Sequence, residues 1–179
     1  MDLVAHYQAM ARYNTWMNDR LYACCGTLSD EERKRDLGAF FRSLHTTLNH
    51  LLVSDRAWLW RFTGDRSLGE SRDSAGNVIP YTRQFDQEVY ADFAELTRER
   101  ARTDAAIEHW TARLEPAQLA STLRWKSRDG SLLENPFWIG VTHFFNHQTH
   151  HRGQVTTLLK QLGRDPGVTD LVRLFVTSA

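Results

Sequence analysis

The chain contains 179 residues, which is enough for one domain of ordinary size with a full hydrophobic core. Hydrophobic residues make up 41% of it and charged residues 25%, a composition typical of a folded globular protein rather than a disordered one. Lys plus Arg balance Asp plus Glu at 22 each, and no run of like charges forms a basic arm. The charge pattern therefore argues against nucleic acid or an anionic membrane as a partner.

The cysteines and the hydropathy pattern predict where the protein is found. Cys24 and Cys25 are adjacent and poorly placed to bridge each other, which favours a reducing compartment. The N-terminus reads M-D-L-V-A-H-Y-Q and lacks the basic start and apolar core of a signal peptide. Nowhere does an uncharged apolar stretch approach the ~20 residues that a membrane span needs. We therefore expect a cytoplasmic protein without a membrane anchor.

The first segment is predicted to be an amphipathic helix packed in a bundle. Its apolar residues recur with spacings of three and four, at Leu3, Tyr7, Met10, Met17, Leu21, Cys24 and Leu28. Asn14 is the one polar member of that stripe. Ser29 followed by Glu32 forms a capping-box pattern, which predicts a short second helical piece, and Gly38 is expected to end it.

Two further long helices are predicted on either side of a long surface loop. The first spans 43–62 and carries one stripe, made of Leu44, Leu48, Leu51, Leu52, Asp55, Leu59 and Phe62. Residues 63–80 hold three glycines and Pro80 among charged residues, which is typical of a loop, and loops of this length are often functional. The second helix spans roughly 85–114, with candidate core positions at Val89, Phe93, Leu96, Ile107 and Trp110.

A small β-hairpin and a fourth helix are predicted next. The run T-L-R-W-K-S-R-D-G-S-L-L at 122–133 alternates apolar and polar residues, and Asp129-Gly130 signals a two-residue hairpin turn, with a plain loop as the alternative. Pro136 suits the first turn of the last helix, and Gly163 marks its C-terminal cap. Four amphipathic helices, two of them joined by a long crossover loop, predict an all-α four-helix bundle.

The last helix carries four of the eight histidines: His143, His147, His150 and His151. Residues four apart lie on nearly the same face of a helix, so the imidazoles of His147 and His151, or of His143 and His147, can converge on one metal ion. The three together are harder to satisfy, because His143 and His151 are about 12 Å apart along the axis. One ion is therefore expected to take two ligands from this helix and another from elsewhere. Chance spacing and ordinary hydrogen bonding are the alternative.

Other chemistries find no support in the sequence. A metalloprotease of the His-Glu-x-x-His kind needs Glu where Gln148 stands, and Gln148 cannot act as a general base. No Gly-x-Ser-x-Gly elbow, phosphate-binding Gly-Lys-Ser/Thr loop or Gly-x-Gly-x-x-Gly turn occurs. Arg152 beside the cluster favours neutral imidazoles over several protonated ones.

Three segments together resemble the DinB and YfiT-like superfamily. H-Q-T-H-H-R-G-Q followed by a Leu-rich turn resembles its last-helix motif, and T-L-N-H-L-L-V-S-D-R-A-W-L looks like its second helix. The opening A-R-Y-N-T-W-M-N-D-R-L-Y is similar to its first helix. The resemblance implies a single domain over residues 1–179, an antiparallel four-helix bundle that is often a homodimer.

The resemblance also implies a divalent metal on three histidines, which by motif are His50, His147 and His151. Such a set leaves an open coordination position, as in catalytic zinc sites, and nickel is a second candidate. Periodicity alone prefers His45 to His50 as the third ligand, because His45 lies closer to the apolar stripe of its helix. His45 therefore stays open as the alternative.

The remaining candidates have supporting roles. His143 or His150 could line the site or close it as a fourth ligand, and Asp55 and Gln148 could orient a ligating imidazole. Trp125 on the hairpin is a candidate for a pocket mouth, although packing is the commoner role.

Two functions follow from the resemblance. The first is a metal-dependent enzyme that acts on a small-molecule substrate, either by activating a low-molecular-weight thiol for transfer or by hydrolysis with metal-activated water. The second is a non-catalytic metal-binding stress protein or dimeric scaffold whose metal site is structural.

Overall fold

A computed structural model describes residues 2–80, 87–127 and 129–176. Within them the α-helices are α1 (Leu3–Gly26), α2 (Asp30–Lys34), α3 (Leu44–Thr63), α4 (Phe93–Ala112), α5 (Pro116–Leu119) and α6 (Phe137–Gln161). The strands are β1 (Thr122–Lys126) and β2 (Leu132–Pro136), and short 3₁₀ turns lie at Arg66–Gly69 and Leu171–Leu174. No helix in these described ranges is both long and apolar enough to cross a membrane.

The first two helices follow the capping signals of the sequence. Asp2 caps α1 by accepting from the Val4 and Ala5 amides, at 2.9 and 3.3 Å. The capping box of α2 is present, with Ser29 and Glu32 bonding each other's backbone amides. The prediction that Gly38 ends α2 is wrong, since the helix stops at Lys34. Gly38, at φ 71°, lies in the turn that leads to α3.

The second long helix is confirmed almost to the residue. Ser43 caps α3 by accepting from the Thr46 amide, and Gly64 ends it in the left-handed conformation at φ 74°. All seven members of the predicted stripe are buried. The following connection is more ordered than predicted, because it contains a 3₁₀ turn and a bridge between Arg72 and Val78.

The third long helix, α4, begins later than predicted, at Phe93, where Asp92 caps it by accepting from the Glu95 amide at 2.7 Å. The reason lies at Tyr90, whose backbone is bound by α3. The Tyr90 amide donates to Asn49 Oδ1 at 2.8 Å, and its carbonyl oxygen lies 2.8 Å from His45 Nε2. These hydrogen bonds hold the segment around Tyr90 against α3 in a conformation that is not helical. Residues 81–86, which include the predicted start, lie outside the described part of the chain.

The predicted hairpin is confirmed, with a longer connection than a two-residue turn. β1 and β2 pair antiparallel with Arg124 opposite Glu134, and residues 127–131 link them. Gly140 of α6 lets the hairpin approach, because a Cβ there would lie 2.8 Å from Leu123 Cδ2 and 3.3 Å from Phe62 Cε1. Leu123 is buried in this contact, so the hairpin is anchored to the helices by its inward face.

The last helix begins at Phe137. Pro136 occupies its N-cap position, one residue before the first turn in which it was predicted. Gly163, at φ 71°, follows its C-terminus as predicted. The Arg164 amide donates to the Leu159 carbonyl and the Gly163 amide to the Lys160 carbonyl, the two bonds of a Schellman motif.

The four long helices form the predicted four-helix bundle. α1 packs on α4 and α6, and α3 packs on the same two helices from the other side. Two apolar clusters fill the interior, one around Leu21, Leu48 and Val155 and the other around Phe62, Phe144 and Trp110.

A buried charge network crosses the interior. Arg100 of α4 donates to Asp55 of α3 at 2.7 Å and pairs with Asp104 at 2.7 Å, and all three side chains are at most 4% exposed. Arg152 of α6 is equally buried and donates to Asn14 of α1, which explains the polar residue in the α1 stripe. Burial lowers the pKa of Arg152 to about 10, so it remains charged at neutral pH. The network links all four helices.

Candidate metal centre

Three imidazoles from two helices converge on one point. His50 lies in the second turn of α3, while His147 and His151 are one turn apart on α6. His147 Nε2 lies 3.3 Å from His50 Nε2 and 3.1 Å from His151 Nε2. One ring nitrogen from each of the three lies within 4.8 Å of the others. We call these residues the three-histidine group.

The spacing of these nitrogens fits a shared cation. Two imidazole nitrogens bound to one tetrahedral zinc at about 2.05 Å are about 3.4 Å apart, which is close to the two shortest separations. An all-imidazole donor set suits zinc, nickel and other late first-row metals rather than magnesium or calcium, which prefer oxygen. The residues present therefore fit a divalent metal of that kind.

The protonation states also suit ligation. Burial, followed by the charges of His151 and His50, lowers the pKa of His147 to about 3, so this ring is neutral at physiological pH. Burial likewise lowers the pKa of His151, against the opposing effect of Gln154. His151 Nδ1 lies 2.7 Å from Gln154 Oε1, an atom that can only accept, so the ring proton is on Nδ1 and the Nε2 lone pair faces the group.

A buried phenyl ring fixes the orientation of two of the imidazoles. Phe41 stacks on His50 with ring centroids 4.1 Å apart and meets His151 edge-on at 5.4 Å. It is 2% exposed and comes from the turn before α3, where Arg42 adopts a positive φ of 63°. The ring closes one side of the group to solvent. Sequence reasoning missed both Phe41 and Gln154; the only available signal was the position of Gln154 three residues after His151.

The structure places the other histidines away from the convergence point. His45, the alternative to His50, is fully buried on another side of α3 with Nε2 against the Tyr90 carbonyl. His143, one turn before His147, contacts Trp58 in a tilted arrangement, with ring centroids 5.0 Å apart. His150 is exposed and touches the group only through an edge contact with the His151 ring, at 4.8 Å. His6 and His109 are exposed elsewhere on the bundle.

Asp55 and Gln148 were expected to orient a ligating imidazole, and neither does so. Asp55 accepts from Arg100 at 2.7 Å and belongs to the buried charge network. Gln148 is buried beside the Asp55 carboxyl. Burial raises the pKa of Asp55, and the interaction with Gln148 partly offsets that rise. The orienting hydrogen bond for an imidazole comes instead from Gln154.

A large cleft opens beside the group. It has a volume of about 900 Å³ and is bordered by His50 and His147 at one end and by the hairpin at the other. We call it the tryptophan cleft, after Trp58, Trp60 and Trp125; its other lining residues are Val53, Ser54, Ala57, Arg61, Gly64, Arg124, Lys126, Ser127 and Gly130. Trp125 thus lies at a pocket, as the hairpin position suggested, and it also packs on Trp58 at 5.8 Å.

Bundle and site together define a helical protein with a three-histidine group between its second and last long helices, and comparison with known proteins agrees. Residues 3–177 match the sequence profile of the DinB family, and the chain belongs to that family. It is 25% identical over 166 residues to Protein DinB of Bacillus subtilis, covering 92% of this chain and 91% of that protein. A DinB-like protein from Bacillus cereus has the same fold, with a TM-score of 0.55 and 20% identity over 86% of this chain and 91% of that one.

Proposed function

We propose that this protein is an enzyme that depends on a divalent metal, held by His50, His147 and His151. The observation that carries the proposal is the convergence of three imidazole nitrogens at the end of a cleft large enough for a small molecule. Zinc is the first candidate for the ion and nickel the second, because imidazole suits both.

The residues around the group each have a defined part. Gln154 holds the His151 ring with its Nε2 lone pair presented, and Phe41 fixes the planes of His50 and His151 while excluding water from one side. Burial keeps His147 unprotonated. When bound, the ion would supply Lewis acidity that lowers the pKa of a coordinated thiol or water.

The geometry favours catalysis over a purely structural site. A structural zinc has four protein ligands, whereas a catalytic one keeps a position open. Among the described residues, the group of potential ligands within reach of one ion contains three histidines and neither His143 nor His150. The open side faces the tryptophan cleft, because His50 and His147 both border it.

Two reaction classes suit this arrangement: transfer of a low-molecular-weight thiol to an electrophile, and hydrolysis. We place thiol transfer first, because thiolate is a preferred ligand of zinc and a strong nucleophile once deprotonated. A screen with glutathione, bacillithiol and mycothiol against a panel of electrophiles tests it. Turnover of esters or amides without any thiol would instead favour the hydrolase.

Metal analysis with matched variants tests the ligand assignment. We expect close to one zinc or nickel per chain in the wild type and little in His147→Ala. His143→Ala, one turn away on the same face of α6, should retain its metal. Equal metal content in all three proteins would defeat the assignment of His147, and loss from His143→Ala as well would favour a closed, structural site.

A further inference from the structure

The tryptophan cleft has a composition that points to its ligand. Three of its lining residues, Arg61, Arg124 and Lys126, are cationic, and no carboxylate is among the lining residues that the structure describes. Arg124 is also paired with Glu134 on the neighbouring strand, at 2.9 Å. The whole chain has no net charge, so this concentration of positive charge is local.

The apolar part of the cleft is aromatic. Trp58 and Trp125 pack against each other with ring centroids 5.8 Å apart and planes tilted by 57°, and Trp60 is 46% exposed at the rim. The Arg61 guanidinium lies 4.6 Å from the Trp58 ring, so a positive charge borders the indole face directly. Indole rings provide stacking surfaces for planar groups, and partly exposed tryptophans in a cleft leave such surfaces available.

The cleft has a defined axis. His50, Ser54, Trp58 and Arg61 follow one another at spacings of four, four and three along α3, so they form one face of the helix. The rise from His50 to Arg61 is about 16 Å. A ligand lying along this face can therefore have one end at the three-histidine group and the other at the cations of the hairpin end.

We propose that the tryptophan cleft binds an anionic substrate with a planar, aromatic portion: the carboxylate lies by Lys126 and Arg61, and the ring lies against the indoles of Trp58 and Trp125 where they line the cleft. This inference names a substrate class for the proposed function. It rests on that function because it takes the cleft as the path by which a substrate reaches the metal. The charge lies at the end of the cleft away from the three-histidine group. Binding of the anion therefore depends on cationic side chains and does not require coordination of the carboxylate to the metal ion.

Matched probes test this directly. Isothermal titration with 2-naphthoate and with its neutral counterpart 2-naphthamide would be run on chelator-treated protein and on zinc-loaded protein. We expect the carboxylate to bind about tenfold more tightly than the amide in both states, since each partly exposed cation contributes about a factor of two to five. The preference should shrink as salt is raised.

Variants locate the interaction. Lys126→Gln should reduce the preference for the carboxylate about threefold, and Lys126→Arg should retain it. Trp125→Leu should weaken both probes alike, because it removes stacking surface and no charge. Arg98→Gln, an exposed charge on α4 that does not line the cleft, serves as the control and should bind both probes like the wild type.

The outcomes separate this inference from the proposed function. Equal affinity for the two probes, or an unchanged preference in Lys126→Gln, would overturn the anionic cleft even if metal binding is found. A preference that appears only with zinc would also overturn it, because the carboxylate would then be coordinating the ion. A preference that persists in a protein that binds no metal would support the cleft and defeat the metal-dependent function.

Discussion

Replacing Arg100 with Met should strongly destabilise the fold, because it leaves two buried carboxylates without their cation. Asp104 keeps amide hydrogen bonds from Asn14 and Asn18, at 2.6 and 3.0 Å, whereas Asp55 loses its 2.7 Å partner. Breaking a buried ion pair from one side costs about 3–5 kcal/mol, a large share of the roughly 5–15 kcal/mol that stabilise a typical domain. For a chain of this size the melting temperature should fall by about 6–20 °C.

The pH dependence of that loss follows from the pKa of Asp55, which burial raises against the opposing effect of Arg100. A raised pKa means that the folded state binds the proton more readily than the unfolded chain does. This carboxyl therefore lowers stability as pH rises from its ordinary pKa near 4 through the raised value. Removing Arg100 raises the folded pKa further, so the variant should lose more stability near neutral pH than in mild acid.

Urea unfolding of matched variants measures the effect. Arg102→Met removes an exposed arginine that pairs with Glu99 on the same helix, and it should cost less than about 1 kcal/mol. Arg100→Met combined with Asp55→Asn should recover part of the loss, because the remaining amide carries no charge. A loss within 1 kcal/mol of the Arg102 control, or no recovery in the double variant, would refute the reasoning.

Three further predictions concern the site and its surroundings. Zinc at about 100 times its dissociation constant should stabilise the protein by about 2.7 kcal/mol and raise its melting temperature by about 5–11 °C; His50→Ala should abolish the shift and His143→Ala keep it, so equal shifts in the three proteins would contradict the ligand set. In metal-free protein the lowered pKa of His147 makes the folded state bind fewer protons than the unfolded one, so stability is lost as pH falls from about 6.5 towards about 3. His147→Phe should remove much of that loss, and an unchanged pH profile in urea unfolding would count against it. Gly140→Ala should cost about 1–3 kcal/mol because its methyl would meet Leu123, and an unaltered urea midpoint would show that this contact is not tight.

Local signals in the sequence predicted most of the fold. Caps such as Ser43 and the Ser29 capping box involve neighbours a few residues apart, so their outcome depended little on the rest of the chain. The start of α4 could not be predicted in the same way, because it depends on Tyr90 bonding to residues of α3 some forty positions away. Periodicity extends through such a segment even where tertiary contacts prevent a helix.

The candidate site shows the same division. Helical spacing predicts that His147 and His151 of α6 lie together. His50, in contrast, lies away from the apolar stripe of α3, and only the family resemblance selected it. The structure explains its position: His50 borders the cleft rather than the core, so it is half-buried and falls outside a pattern based on burial. Phe41 lies in a turn without periodicity, and no local pattern marks it as a neighbour of two imidazoles.

The hairpin gives the cleft one wall that is not part of the bundle. Leu123 and Gly140 anchor it to the helices, while Lys126 lies on its solvent-facing side, with no part in that anchor. Mutations at such outward positions leave the helix packing and the three imidazoles in place. Under the proposed function, substrate preference can therefore change through residues of these two short strands, with little effect on folding, while the three-histidine group is kept.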